Sequence, residues 1–169
     1  TPLFILCCAL ALLSAEGLPL AHQADEAYRP FLLSDPNAPP ARETIRVRFE
    51  VSPSPSFEGQ AILESTATWS IVARDGERAL VFRYPSETEP AWVARFRPGS
   101  SEVSVACSPR FLETVGGTTV LQCSFFGYPL DQVLAMYLLG SRGILLHAAG
   151  AIIHGRGMAF SGVSGAGKS

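Results

Sequence analysis

The stretch TIRVRFEV, residues 44–51, alternates apolar and charged side chains without a break. Ile45, Val47 and Phe49 fall on one side of an extended chain, and Arg46 and Arg48 fall on the other. A period of two residues is typical of a strand with one buried face. The stretch therefore predicts a half-buried β-strand, and it places Arg46 and Arg48 on the solvated face.

Further strand signals follow this stretch at short intervals. Two turn pairs, Asp75-Gly76 and Pro98-Gly99, each separate two apolar runs. Both pairs favour turns because glycine accepts a positive φ. Residues 44–126 are thus predicted to form a predominantly antiparallel β region. The later strands are predicted at residues 68–74, 79–84, 91–97, 102–107 and 118–126.

The residues before this region show two patterns. Residues 3–13 (LFILCCALALL) carry no charge, and they are too short for a membrane-spanning helix, which needs roughly 20 apolar residues. No Lys or Arg precedes them, and no clear small-x-small cleavage site follows. They predict a buried strand, and a signal or anchor segment is the alternative. Residues 15–43 are rich in proline, which predicts irregular chain across a surface.

Composition and cysteine spacing narrow the class of protein. The chain has 169 residues, of which 47% are hydrophobic and 17% charged, as in folded globular proteins. A net charge of -2 gives no reason to expect nucleic acid or a membrane surface as partner. The four cysteines form no zinc-binding pattern. Cys107 and Cys123 are predicted to be buried reduced thiols of a cytoplasmic protein, and a disulfide between them is the alternative.

A helical period replaces the strand period after residue 128. Pro129 suits the first turn of a helix, and Gly140 suits a C-terminal cap. Three short strands are predicted next, at residues 143–149, 151–154 and 157–161, with Gly150 and residues 154–157 as turns. The last strand is predicted to be buried and to lead into a glycine-rich loop. The apolar face of the helix consists of Leu130, Val133, Leu134, Tyr137 and Leu138.

The glycine-rich loop GVSGAGKS, residues 162–169, matches the pattern G-x-x-x-x-G-K-[ST] in full. Its glycines allow successive backbone N–H groups to point at one anion, and a helix that begins near Gly167 would add the positive end of its dipole. Lys168 is predicted to reach the β- and γ-phosphates of ATP, and the Ser169 hydroxyl to bind Mg²⁺. A glycine turn that binds nothing is the alternative. The predicted nucleotide-binding residues are Gly162, Val163, Ser164, Gly165, Ala166, Gly167, Lys168 and Ser169.

Other residues with functional potential surround the loop. His147 is a candidate for contact with a phosphate or an acceptor, and a hydrogen-bonded strand histidine is the alternative. Arg142 and Arg156 are predicted at the surface, with phosphate contact as the alternative. Trp69 and Trp92 are predicted to pack in the core.

Residues 129–169 resemble the start of the kinase domain in proteins related to HPr kinase/phosphorylase, and more loosely the phosphoenolpyruvate carboxykinase type of P-loop fold. The matching features are a short helix, the run R-G-x-L-L-H-A, a hairpin with a glycine turn, and a strand that enters G-x-S-G-A-G-K-S. The resemblance implies an α/β P-loop fold overall. It divides the chain into a β-rich region, residues 1–126, and the start of a nucleotide-binding domain, residues 127–169.

The resemblance implies an ATP-dependent kinase that transfers the γ-phosphoryl group to a protein serine or a small-molecule hydroxyl. The catalytic carboxylate of that family lies after the loop, so none is assigned, and a chain that stops at Ser169 is expected to be inactive by itself. One alternative is a nucleotide-binding regulatory or assembly factor without transfer activity. Another is a secreted or anchored β-domain in which the glycine loop is incidental. A homo-oligomer is compatible with each.

Overall fold

Strands dominate this computed structural model, which describes residues 3–6, 9–21, 32–33, 43–66, 68–123, 129–131, 133–134 and 148–162. In those ranges, helical conformation occurs only at 130–131 and 133–134 and in the 3-10 turn Pro109–Phe111. The fold is nearly all β, so the predicted α/β class is wrong. That prediction came from the loop motif and its surroundings, whereas the alternating stretches that build most of the fold lie before residue 123.

The described strands form three sheets. Nine of them form one sheet in the order β4-β1-β2-β5-β10-β9-β8-β7-β6, a second sheet has the order β11-β12-β3, and β13 pairs with β14. The strands are β1 (Leu3–Leu6), β2 (Ala9–Ala15), β3 (Leu20–Ala21), β4 (Leu32–Leu33), β5 (Glu43–Val51), β6 (Gln60–Thr66), β7 (Trp69–Arg74), β8 (Glu77–Phe82), β9 (Trp92–Phe96), β10 (Glu102–Cys107), β11 (Leu112–Val115), β12 (Thr118–Gln122), β13 (Ala148–Ile153) and β14 (Arg156–Ser161).

Strand β5, which contains the alternating stretch TIRVRFEV, lies inside the nine-stranded sheet and is parallel to both of its neighbours, β2 and β10. The other pairs of that sheet are antiparallel. The predicted antiparallel β region is therefore confirmed, with the β5–β10 pair as its exception.

Both predicted turns, Asp75-Gly76 and Pro98-Gly99, are present in the structure. Asp75 and Gly76 have φ values of 52° and 76°, and they join β7 to β8 in a tight hairpin. Gly99, with φ 82°, joins β9 to β10. Positive φ at both central positions is the geometry that matches the twist of a hairpin.

Residues 3–6 and 9–15 form two antiparallel strands, whereas a single strand was predicted over residues 3–13. Leu3 pairs with Leu12 and Leu6 with Ala9, so the chain reverses between β1 and β2. The run carries no glycine, proline or charge that would indicate the reversal from sequence. Leu13 is completely buried, which agrees with the predicted burial at that end of the run.

The main core covers one face of the nine-stranded sheet, here called the inner face. The second sheet and the helical residues supply Phe111, Leu121 and Leu130 to the same cluster. Trp92 stacks on Phe82 with ring centroids 5.1 Å apart, so the predicted packing role of Trp92 is confirmed. Each large side chain buried here stabilises the fold by about 1.5–3 kcal/mol. Inner-face residues include Leu13, Ile45, Val47, Phe49, Trp69, Ile71, Leu80, Trp92, Ala94, Phe96, Val103, Val105 and Cys107.

The opposite face of the large sheet, here called the outer face, is apolar over β7 to β9. Ala79, Val81 and Val93 are buried there, and Phe57 packs against them. The backbone at Gly59 packs so closely against β7 that a Cβ on Gly59 would lie 2.5 Å from the carbonyl oxygen of Ala73. Over β5 the outer face is polar instead, and the exposed arginines of that strand lie there, as predicted.

Candidate functional site

The predicted loop follows the hairpin β13–β14. His154 and Gly155 form its turn with φ values of 49° and 75°. Gly150 pairs with Ala159 inside the ladder, so the prediction that Gly150 separates two strands is wrong. A glycine is tolerated in a strand when the pairing of its backbone is kept. Residues 143–147 lie outside the described residues.

The hairpin exposes its side chains. Every residue of 151–162 is exposed, and Ile152 and Phe160 have exposed fractions of 81% and 48%. The prediction that a buried strand leads into the loop is therefore wrong. An apolar run suggests that a strand is buried, but burial also needs other residues that pack against the strand. Within the described residues, none buries β14.

The structure describes one residue of the predicted loop, Gly162. This residue is exposed, lies outside the ladder and directly follows β14. Because Ala148 pairs with Ser161, the chain enters β13 and leaves β14 at the same end of the hairpin. Residues 163–169, which include Lys168 and Ser169, lie outside the described residues, as does His147. Arg156 is exposed next to the turn, at the far end of the hairpin from Gly162.

No family model, curated protein or solved structure matches this chain. Within the described ranges no helix has the length and apolarity needed to cross a membrane. The loop motif, the geometry of its hairpin and the chemistry of the sheet surfaces are therefore the basis for a functional proposal.

A surface cavity lies where β2 ends beside β5. Its volume is about 360 Å³, and it is lined by Ser14, Ala15, Glu16 and Arg48. Sequence reasoning placed Arg48 correctly on a solvated face but missed this cavity. The missing signal was the parallel pairing of β2 with β5, which brings together residues more than thirty positions apart.

The two described cysteines are buried and free. Burial is the main cause that raises the pKa of Cys107 to about 12 and that of Cys123 to about 11. The Cys107 Sγ donates to the carbonyl oxygen of Glu50 at 3.4 Å, and the Cys123 Sγ to that of Ala21 at 3.6 Å. Thiols held in the protonated form are poor nucleophiles at neutral pH. Cys107 and Cys123 thus belong to the core and not to a reactive site.

An exposed polar cluster joins β8 to the 3-10 turn. The Arg110 Nη1 donates to both carboxylate oxygens of Glu87, at 2.7 and 2.8 Å, and its guanidinium lies 5.4 Å from the centre of the Tyr84 ring. The hydrogen bond to Glu87 is the main cause that raises the pKa of Arg110. Because the guanidinium is already paired, this cluster holds two loops together and offers little to a ligand.

Proposed function

We propose that residues 162–169 bind the phosphates of ATP. The observation that carries this proposal is the full match of GVSGAGKS to a phosphate-binding loop, with all three fixed glycine and lysine positions and the terminal hydroxyl present. Its structural support is the position of Gly162, which follows a β-strand directly, as the first residue of such a loop does.

The donor set fits a nucleotide with magnesium. Backbone N–H groups and the Lys168 ammonium are donors for phosphate oxygens, and the Ser169 hydroxyl is the kind of hard oxygen ligand that Mg²⁺ prefers. Mg²⁺, when bound, offsets negative charge on the phosphates. Gly162, Gly165 and Gly167 leave room for the backbone to approach the anion, since they carry no Cβ.

The activity that we propose for the protein is transfer of the γ-phosphoryl group to a hydroxyl, on a protein serine or on a small molecule. Positioning and charge stabilisation provide most of the catalysis in such transfers, and Lys168 would contribute to both. A nucleotide-binding factor without transfer activity would use the same residues. Incubation with γ-labelled ATP and candidate acceptors separates the two, because only a kinase passes the label to an acceptor.

One observation favours a different class of function. Nearly all of the regular secondary structure in the described residues is β-strand, as expected for a β-domain in which the glycine loop is incidental. In that case the loop would bind no nucleotide, and replacement of Lys168 would have no effect on any ligand.

The chain offers a sharp test because Lys168 is its single lysine, the other twelve basic residues being arginines. Titration of the full chain with Mg-ATP is expected to show saturable binding that Lys168→Ala weakens at least about tenfold, since a charge-assisted hydrogen bond is lost. Arg156→Ala is the matched control, because it removes the same charge from an exposed position at the end of the hairpin far from Gly162. Mg-ATP should also protect Lys168 from an amine-reactive reagent. Equal affinity in all three proteins, with no protection, would contradict the proposal.

A further inference from the structure

The outer face contains a row of four aligned polar side chains. Ser14 pairs with Arg48, Arg48 with Ser104, and Ser104 with Arg95, across the neighbouring strands β2, β5, β10 and β9. The strand residues on either side of Arg48 and Ser104 belong to the inner core, so these two side chains lie on the outer face. We call Ser14, Arg48, Ser104 and Arg95 the arginine row.

Among the described residues, neither guanidinium group of this row forms an ion pair. The Arg95 Nε is buried and has no hydrogen-bond partner within the part of the chain that the structure describes, and the Arg95 Nη2 donates to the carbonyl oxygen of Ser56 at a long 3.4 Å. Arg48 takes part in none of the ion pairs of the described chain, which involve Arg46, Arg74 and Arg110. A buried donor of a charged group that stays unpaired is costly, so an oxyanion bound by the Nη groups of Arg95 would offset part of that cost.

Three carboxylates lie near the row, those of Glu102, Glu50 and Glu16. Glu102 accepts from the Arg46 Nη1 at 3.4 Å. Glu50 follows Arg48 by two positions on β5, and Glu16 lines the cavity beside it. Neither Glu50 nor Glu16 forms an ion pair with an arginine within the described part of the chain. Their negative charges weaken the attraction of the arginine row for an anion, because both carboxylates lie close to Arg48.

The spacing of the row suits a tetrahedral oxyanion. Neighbouring strands lie about 4.8 Å apart, so Arg48 and Arg95, two strands apart, have backbones separated by roughly 10 Å with Ser104 between them. Arginine side chains are long enough for two guanidinium groups to meet one anion across such a gap, and guanidinium groups match the oxygens of phosphate. The cavity of about 360 Å³ beside Ser14 and Arg48 leaves room for a substituent on that phosphate.

We propose that the arginine row is a phosphate-binding site, separate from the loop at 162–169 and independent of the function proposed for that loop. Its ligand is either free inorganic phosphate or the phosphate group of a small monoester. The two sources share the oxyanion that Arg48 and Arg95 bind, and they differ in whether a substituent occupies the cavity.

Calorimetric titration of the full-length Lys168→Ala chain tests the site without a contribution from the loop. Inorganic phosphate and glycerol 3-phosphate are the two probes, and tighter binding of the ester would identify an esterified phosphate as the ligand. Arg48→Gln is expected to weaken binding of the better probe about tenfold, because one charge-assisted contact is lost. Arg97→Gln is the matched control, since it removes the same charge from an exposed position just after β9.

The outcomes separate the row from its alternatives. Equal weakening by Arg48→Gln and Arg97→Gln would show an effect of net charge and overturn the proposal. Loss of all phosphate binding with Lys168→Ala alone would assign the anion to the loop, and it would overturn the row while supporting the proposed function. Arg48 is exposed, so its variant is expected to keep the fold, and thermal unfolding checks this. Arg95→Gln should weaken binding as well, in a protein whose unfolding curve stays cooperative.

Discussion

The β7–β8 hairpin of the large sheet and the β13–β14 hairpin have nearly the same turn geometry. Their turns have φ values of 52° and 76° in one and 49° and 75° in the other. Yet β8 contributes Leu80 and Val81 to two buried clusters, whereas every residue of β14 is exposed. Turn chemistry therefore determines the hairpin, and tertiary packing determines whether the hairpin is buried. The following predictions test this difference, from the largest effect to the smallest.

A matched pair of truncations should give the largest difference. Leu80 is completely buried, and Ile152 has an exposed fraction of 81%. We expect Leu80→Ala to lower the free energy of unfolding by about 2–5 kcal/mol, since it removes buried surface and leaves a cavity. Ile152→Ala should change it by less than about 0.5 kcal/mol. Urea denaturation followed by tryptophan fluorescence reports on the large sheet, because Trp69 and Trp92 lie there. Similar losses in both variants would show that the hairpin is packed as well as the sheet.

Alkaline pH should destabilise the main core through its two buried thiols, Cys107 and Cys123. Burial raises the pKa of Cys107 from 9.0 to about 12 and that of Cys123 to about 11, so the unfolded chain releases protons first as the pH rises. The stabilisation is fully present below about pH 9 and is lost as the pH rises toward 11 and 12. We expect a loss of about 2 kcal/mol between pH 8 and pH 10. A Cys107→Ala, Cys123→Ala double variant should show a shallower dependence on pH, and an unchanged slope would assign the loss to other groups.

The two turn glycines provide a second matched pair. Gly76→Ala places a Cβ at a φ of 76°, and Gly155→Ala does the same at 75°. The strain is about 1–2 kcal/mol in each case. We expect Gly76→Ala to shift the global unfolding curve, because β7 and β8 unfold with the sheet. Gly155→Ala should leave that curve in place and accelerate amide hydrogen exchange in residues 148–161. A global shift in both variants would mean that the hairpin and the sheet unfold together.

An exposed ion pair should give the smallest effect. Arg46 and Glu102 lie 3.4 Å apart, and their side chains are 63% and 57% exposed. Solvent screens such a pair, so Glu102→Gln should lower the free energy of unfolding by about 0.5 kcal/mol or less, and added salt should reduce the difference further. A loss of more than about 1 kcal/mol would indicate that this part of the outer face is covered in solution.

Local patterns predicted much of the large sheet. The alternating residues 44–51, the two turn pairs and the apolar face beginning at Leu130 each led to the observed strand, turn or buried position. These features depend on residues that are close together in sequence, so a local pattern is enough to predict them. The parallel partners of β5 left no such signal, because β2 and β10 pair with it across long stretches of chain.

The errors lie where tertiary context overrides local pattern. The fold class was predicted from a loop motif, which describes a site and does not determine the architecture around it. Burial of residues 157–161 was predicted from apolar character, although burial needs a partner surface that a strand cannot supply for itself. The predicted nucleotide site rests on the chemistry of GVSGAGKS, and its residues after Gly162 lie outside the described ranges.

The position of β5 has a consequence for synthesis of the chain on the ribosome. Arg46 faces Glu102, 56 residues later, so one side of β5 has no strand to pair with until β10 has been made. At typical translation rates this interval lasts roughly three to eleven seconds. During that time β5 presents an open row of backbone donors and acceptors to other nascent chains. Its charged side chains Arg46, Arg48 and Glu50 oppose such contacts, so the same alternation that buries one face of the strand also keeps the unfinished protein apart from its neighbours.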